Sequence, residues 1–277
     1  LFRSENGWEA SEVLAEGDAV VSASELYRVT LTVPKDWKVA ATGSLLESHV
    51  DGDRWTGVYA SGPVREFTIA ASPVFEQTTL DAGGVRINHW GLPEEEAPSR
   101  EVLSEVAAAV KVFDQDFGLY PFAELDTVAV PLQNAGGVEY PGLVFLESGL
   151  YGDTTQRNYL QIATAHEVSH QWWYSVVGSD VLQHPWQDEA MATFSSLLFY
   201  EQTNEAFFEG TLAYYQDRAK AAENQSFSDA VGQPVSAFVG QESNYGTVVY
   251  ARGAIFLFSL RDEIGDEAFF NGLKSYY

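Results

Sequence analysis

Cysteine is absent from the chain. That absence excludes disulfides and removes thiolates from any metal site, leaving histidine and carboxylate as protein donors. Basic residues are scarce: 15 Lys and Arg stand against 40 Asp and Glu, for a formal charge of −25. Such a surface repels phosphate backbones, so no nucleic acid partner is expected. The acid is spread along the chain, as on a solvated surface, and does not gather in a tail. No apolar run approaches the length of a membrane span, so no transmembrane segment is expected. The chain starts at Leu1 without a methionine, and it reads as a fragment or a processed product. Nothing in the pattern sets an oligomeric state or a compartment.

What is present suits a globular protein of one large or two ordinary domains. The 277 residues are 45% hydrophobic and 14% aromatic, enough for a sizeable core. The first ninety or so are punctuated like antiparallel β structure. From Leu26 to Val33 apolar Tyr27, Val29, Leu31 and Val33 alternate with Arg28, Thr30 and Thr32, and Pro34 stops the run. Short runs at 39–42, 54–60, 67–71, 74–80 and 85–90 follow, separated by Gly-, Pro- and Asp-rich turns. The polar stretch Gly91-Leu92-Pro93-Glu94-Glu95-Glu96-Ala97-Pro98 marks the expected boundary between residues 1–91 and residues 92–277.

Beyond it the period changes. Val102, Val106, Val110, Phe113 and Phe117 recur at helical spacing, with Gly118 as a C-terminal cap. Strands are expected over 125–131 and 143–146. After Thr154 the pattern predicts helices almost throughout: one around residue 166, one from Trp186, one over 205–222, one over 247–264 and one from Asp266.

The most informative stretch is His166-Glu167-Val168-Ser169-His170, followed eighteen residues later by Glu189. Histidines at i and i+4 share one helix face, where two imidazole nitrogens can take the same Zn²⁺ with Glu167 beside it to handle a proton. With 5 histidines in the chain, His-Glu-x-x-His is expected by chance only about 0.01 times. Glu189 is the natural third ligand, leaving the fourth position open as a catalytic zinc requires. On its own it also reads as a helix first-turn carboxylate.

The motif resembles that of the gluzincin aminopeptidases, the aminopeptidase N and leukotriene-hydrolase family. Gln171-Trp172-Trp173 and Trp186-Gln187-Asp188-Glu189-Ala190 resemble its surroundings in that family. Upstream, Gly136-Gly137-Val138-Glu139-Tyr140-Pro141-Gly142 is similar to the Gly-x-Met-Glu-Asn exopeptidase signature. Downstream, Tyr250-Ala251-Arg252-Gly253 is similar to the Tyr-x-Lys-Gly stretch whose tyrosine is catalytic. The resemblance implies an α+β fold: a partial N-terminal β-sandwich or saddle domain, then a thermolysin-like, mainly helical catalytic domain with a small sheet. The resemblance also implies that the family's usual longer β domain and C-terminal helical domain are cut here.

It also implies one Zn²⁺ per chain on His166, His170 and Glu189, Glu167 as general base and Tyr250 as donor to the oxyanion. Glu139 would receive the free N-terminus of a peptide substrate. Gly136 and Gly137 would let the substrate backbone approach, and Tyr245 would line the pocket. Val138 and Tyr140 depart from the signature's Met and Asn. Ser196 stands where relatives often place a carboxylate. An endopeptidase or epoxide hydrolase could use the same metal site, and a non-catalytic peptide-binding module could keep the same fold. His49 and His89 are expected to be surface or packing residues, and Trp172, Trp173 and Trp186 core aromatics.

Overall fold

The computed structural model describes residues 2–4, 7–9, 17, 22–133, 135–223 and 230–277. They divide into two compact units, Ala23–Val177 with Phe270–Tyr277, and Leu1–Ser22 with Gly178–Phe269. The architecture is α+β, with sheets first and a mainly helical part after them. Among the described residues no helix is long and apolar enough to cross a membrane.

The smaller unit opens with a short hairpin, β1 (Phe2–Ser4) and β2 (Gly7–Glu9). The larger unit begins with β3 (Glu25–Pro34), β4 (Lys38–Ala41), β5 (Ser44–Asp51), β6 (Arg54–Val64) and β7 (Ile69–Ser72). They form a three-stranded antiparallel sheet in the order β3-β6-β5 and a separate β4-β7 pair. The alternation read from Leu26 to Val33 lies inside β3. The sequence gives no such signal for β5: most of its residues are exposed, and a register shift between Leu45 and Glu47 breaks its pairing with β6.

A five-stranded mixed sheet carries the larger unit's core. Its strands β8 (Glu76–Ala82), β9 (Val85–Gly91), β10 (Glu124–Val130), β11 (Gly137–Val138) and β12 (Leu143–Glu147) run in the order β11-β12-β10-β9-β8. β10 is parallel to both of its neighbours, and β11 lies at an edge. Central strands buried on both faces are near-continuous in apolar residues, as Val128, Leu143, Val144 and Leu146 are here. The polar stretch 91–98 links β9 to the helix that packs on β8 and β9, α1 (Glu96–Asp116). α1 begins earlier than the apolar period implies because Pro98 falls in its first turn, where a missing N–H costs little.

Val102, Val106, Val110 and Phe113 all point into the core, as their spacing requires. α1 packs on α2 (Gly149–Gly152) and on the long α3 (Arg157–Trp173). Phe113 stacks on Phe117 at 5.5 Å and receives the edge of Trp172 at 5.4 Å. The Trp172 indole N–H donates to the Gly118 carbonyl at 2.7 Å. Gly118 sits at φ 142°, and a Cβ there would lie 2.5 Å from the Tyr277 ring, so only glycine fits. Trp173 packs against Phe117 and Tyr276. The C-terminal end of α3 is thus pinned by aromatics, which fixes the face its middle turns present.

The smaller unit's α-helices among the described residues are α4 (Trp186–Thr203), α5 (Glu205–Glu223), α6 (Glu242–Tyr245), α7 (Gly253–Ile264) and the start of α8 (Asp266–Tyr276). The single helix expected over 247–264 is instead a π-helical segment, Gly246–Arg252, running into α7. A Cβ on Gly253 would lie 2.4 Å from that of Ala190, so this glycine is what lets α7 approach α4.

Candidate metal centre

On α3, His166 and His170 lie one turn apart with ring centroids 4.7 Å apart and planes at 82°. Their Nε2 atoms face each other at 3.1 Å. Donors at about 2.0–2.1 Å in tetrahedral array around zinc lie about 3.3–3.4 Å from one another, so this pair suits one ion with little adjustment. At that distance the two nitrogens share a proton or converge on one ion. The donor set, imidazole with no thiolate, also suits zinc.

Glu167 sits between them in sequence and is buried, at 7% exposure. Glu139, in the loop after β11, is equally buried. The carboxylate and imidazole ligand atoms of Glu139, Glu167 and His170 all lie within 4.8 Å of one another. Two acidic groups so close favour a nearby positive charge.

Gly137 makes room for Glu167. A Cβ on Gly137 would fall 2.3 Å from Glu167 Cγ and 2.6 Å from its Cδ. The space a side chain would need is therefore filled by the glutamate. The outer edge of β11 has no strand neighbour among the described residues. A Cβ on Gly136 would meet the tip of Tyr159 at 2.5 Å.

In the smaller unit, Glu189 lies in the first turn of α4 and is buried, at 6% exposure. A carboxylate at a helix N-terminus is favoured by the helix dipole in its charged form. The Tyr250 hydroxyl donates a short hydrogen bond to Glu189 Oε1. Tyr250 comes from the π-helical segment, whose extra residue per turn redirects side chains; such bulges recur at functional sites. Tyr245 is buried with Val235, Phe238, Val248 and Val249, and its ring meets that of Tyr250 at 5.8 Å. Ser196 is fully buried and donates to the Thr193 carbonyl of its own helix.

The remaining histidines have other roles. His49 is exposed. His89 is fully buried, bonded to Thr127 through Nδ1 at 2.8 Å and stacked on Tyr151, and burial pushes its imidazole down to about 3. Trp172 and Trp173 are core residues, and Trp186 packs partly buried against the Tyr245 cluster. Sequence reasoning gave no separate role to Gln171. Its amide reaches the main chain around Glu139, and its only sequence signal was its place directly after His170.

With this geometry in hand, the class of protein is settled: residues 102–277 match the peptidase family M1 domain, and the chain belongs to that family. Among curated proteins it is similar to aminopeptidase N of Haemonchus contortus, 24% identical over 267 residues, covering 90% of this chain and 27% of that protein. It is equally similar to aminopeptidase M1 of Arabidopsis thaliana, at 24% over 268 residues, covering 90% and 30%. The chain thus spans under a third of the length of these relatives. Among solved structures, the M1 zinc metallopeptidase from Deinococcus radiodurans superposes with a TM-score of 0.71 over 92% of this chain and 56% of its own, at 21% identity. That likeness establishes a shared fold.

Proposed function

We propose that the chain is a zinc-dependent aminopeptidase that removes residues from the free N-terminus of peptides. The observation carrying this reading is the pair of imidazoles facing at 3.1 Å beside two buried carboxylates. His166 and His170 supply two ligands. Glu189 is assigned as the third from its spacing after the motif and its burial at a helix N-terminus. When bound, zinc lowers the pKa of water and polarises a carbonyl.

The rest of the chemistry falls to the chain's own groups. Glu167 takes the proton of the attacking water and returns it to the leaving amine, a transfer suited to a buried carboxylate. The Tyr250 phenol, whose single proton rests on Glu189, turns that proton to the oxyanion that develops on the scissile carbonyl. Glu139 receives the substrate ammonium through a charge-assisted hydrogen bond. The open edge of β11 pairs with the substrate backbone in strand fashion. Tyr245 supports Tyr250 from behind. Catalysis is assigned to residues 92–277, with 1–91 supporting it through the two strands they contribute to the five-stranded sheet.

The burial of Glu139 beside Glu167 favours amino-terminus recognition over internal cleavage. The test is hydrolysis of free and N-acetylated aminoacyl amides by zinc-loaded protein. Cleavage of the free amine alone is expected. Equal cleavage of both removes the role of Glu139, and turnover surviving Glu167→Gln removes the base.

A further inference from the structure

We propose that Gln171 is a positioning residue that ties the Glu139 loop to the helix of His166, Glu167 and His170, and so sets the preference for a free amino terminus. This deepens the reading above and rests on Glu139 as the receptor of the amino group. Gln171 follows His170 on α3 and is fully buried. Its Oε1 accepts from the Gly142 N–H at 2.8 Å, and its Nε2 donates to the carbonyls of Tyr140 at 3.2 Å and Glu139 at 3.5 Å.

Those three contacts fix which way the amide points. Turned over, its NH₂ would face a donor and its oxygen two acceptors. The bonds bracket the turn joining β11 to β12, which Leu143 closes by donating to the Tyr140 carbonyl at 2.9 Å. Gly142 adopts φ +70°, a conformation that suits glycine. Every partner of Gln171 is main chain, so the tie is indifferent to the side chains of Val138 and Tyr140, where the sequence leaves the family signature. Its effect is to give Glu139 a fixed reach from the catalytic helix.

A residue of like volume without hydrogen bonds removes the tie and leaves the partly buried Gly142 N–H without this partner, so the loop loses its anchor to α3. A misplacement of about 1 Å costs up to about a hundredfold in rate. In Gln171→Met, kcat/KM for the free-amine substrate therefore falls by about ten- to a hundredfold, mainly through KM. That for the N-acetylated analogue falls much less, and the selectivity ratio collapses.

Four forms of the full chain test this, each by its kcat/KM on both substrates: wild type, Gln171→Met, Glu139→Ala and the double variant. If Gln171 acts through Glu139, adding Gln171→Met to Glu139→Ala leaves the ratio unchanged, whereas independent effects that multiply overturn the proposal. A ratio preserved in Gln171→Met, with both rates falling alongside thermal stability, marks a merely structural residue and also overturns it. Wild type without any preference for the free amine overturns the reading of Glu139 itself, which separates the two failures. Hydrogen exchange at the Gly142 amide gives a readout independent of activity: faster exchange in Gln171→Met supports the tie, and unchanged protection overturns it.

Discussion

Replacing Gly137 by alanine adds one methyl group, and the structure says where it goes. The new Cβ would lie 2.3, 2.6 and 2.8 Å from Cγ, Cδ and Oε1 of Glu167. Carbon atoms rest at about 3.5–4.0 Å, so the glutamate or strand β11 must give by about 1 Å. The backbone at 137 is outside the left-handed region, so the effect is steric and not conformational. Overpacking of this kind costs about 1–3 kcal/mol of stability. Moving the base by about 1 Å costs about a hundredfold in kcat/KM, or about 2.7 kcal/mol. Gly152→Ala is the control: the residue is exposed, and a Cβ there would meet nothing within 4 Å. It should keep kcat/KM within about twofold, inside the ±0.5 kcal/mol or so typical of surface changes. Initial rates on an aminoacyl amide and thermal unfolding of both variants decide the matter. Gly137→Ala retaining wild-type turnover, or both variants losing it equally, would refute the placement of Glu167 against β11.

Other outcomes follow from the same geometry. Tyr250→Phe should lower kcat by about 10²–10³ with little change in KM, because the phenol acts on charge that appears only in the transition state; a pure KM effect in steady-state kinetics would contradict this. Chelation should abolish turnover, and zinc at about 100 times its Kd should restore it and raise stability by about 2.7 kcal/mol, read as a shift of the thermal midpoint. Asp126 on β10 gives a pH effect outside the site. Burial raises its carboxyl to about 7, against the opposing hydrogen bond from Asn88 at 2.6 Å. Between the usual carboxylate value and about 7 the folded state holds a proton that the unfolded state has released, so this group's contribution to stability falls as pH rises through that window. Urea unfolding of zinc-free protein should show a loss on the order of 2–3 kcal/mol between pH 5 and 8 that Asp126→Asn removes; an identical pH slope in the variant would contradict it.

Much of this was legible in the residues because the signals were periodic or tightly spaced. The alternation in β3 and the helical spacing of Val102, Val106, Val110 and Phe113 follow directly from what each element buries. The i, i+4 spacing of His166 and His170 was enough to place both rings on one face. Strand β5 escaped because it is largely exposed and irregularly paired, so burial imposes no alternation on it. The π-helical segment escaped because one extra residue in a turn leaves no compositional mark. Gly137 was legible as a close approach, but sequence alone does not show that Glu167 is what approaches. Gln171 was hidden for a related reason: its partners are backbone groups of a turn some thirty residues upstream, and main-chain atoms leave no pattern in a sequence.

The central claim is that His166, His170 and Glu189 hold one zinc ion. X-ray absorption at the zinc edge, on protein loaded to measured stoichiometry, tests it most directly. One zinc per chain is predicted, with two imidazole nitrogens at about 2.0–2.1 Å and the remaining positions filled by oxygen, and one of those oxygens lost in Glu189→Ala. Zinc retained with unchanged coordination in His166→Ala, or no stoichiometric binding by the wild-type chain, would contradict it.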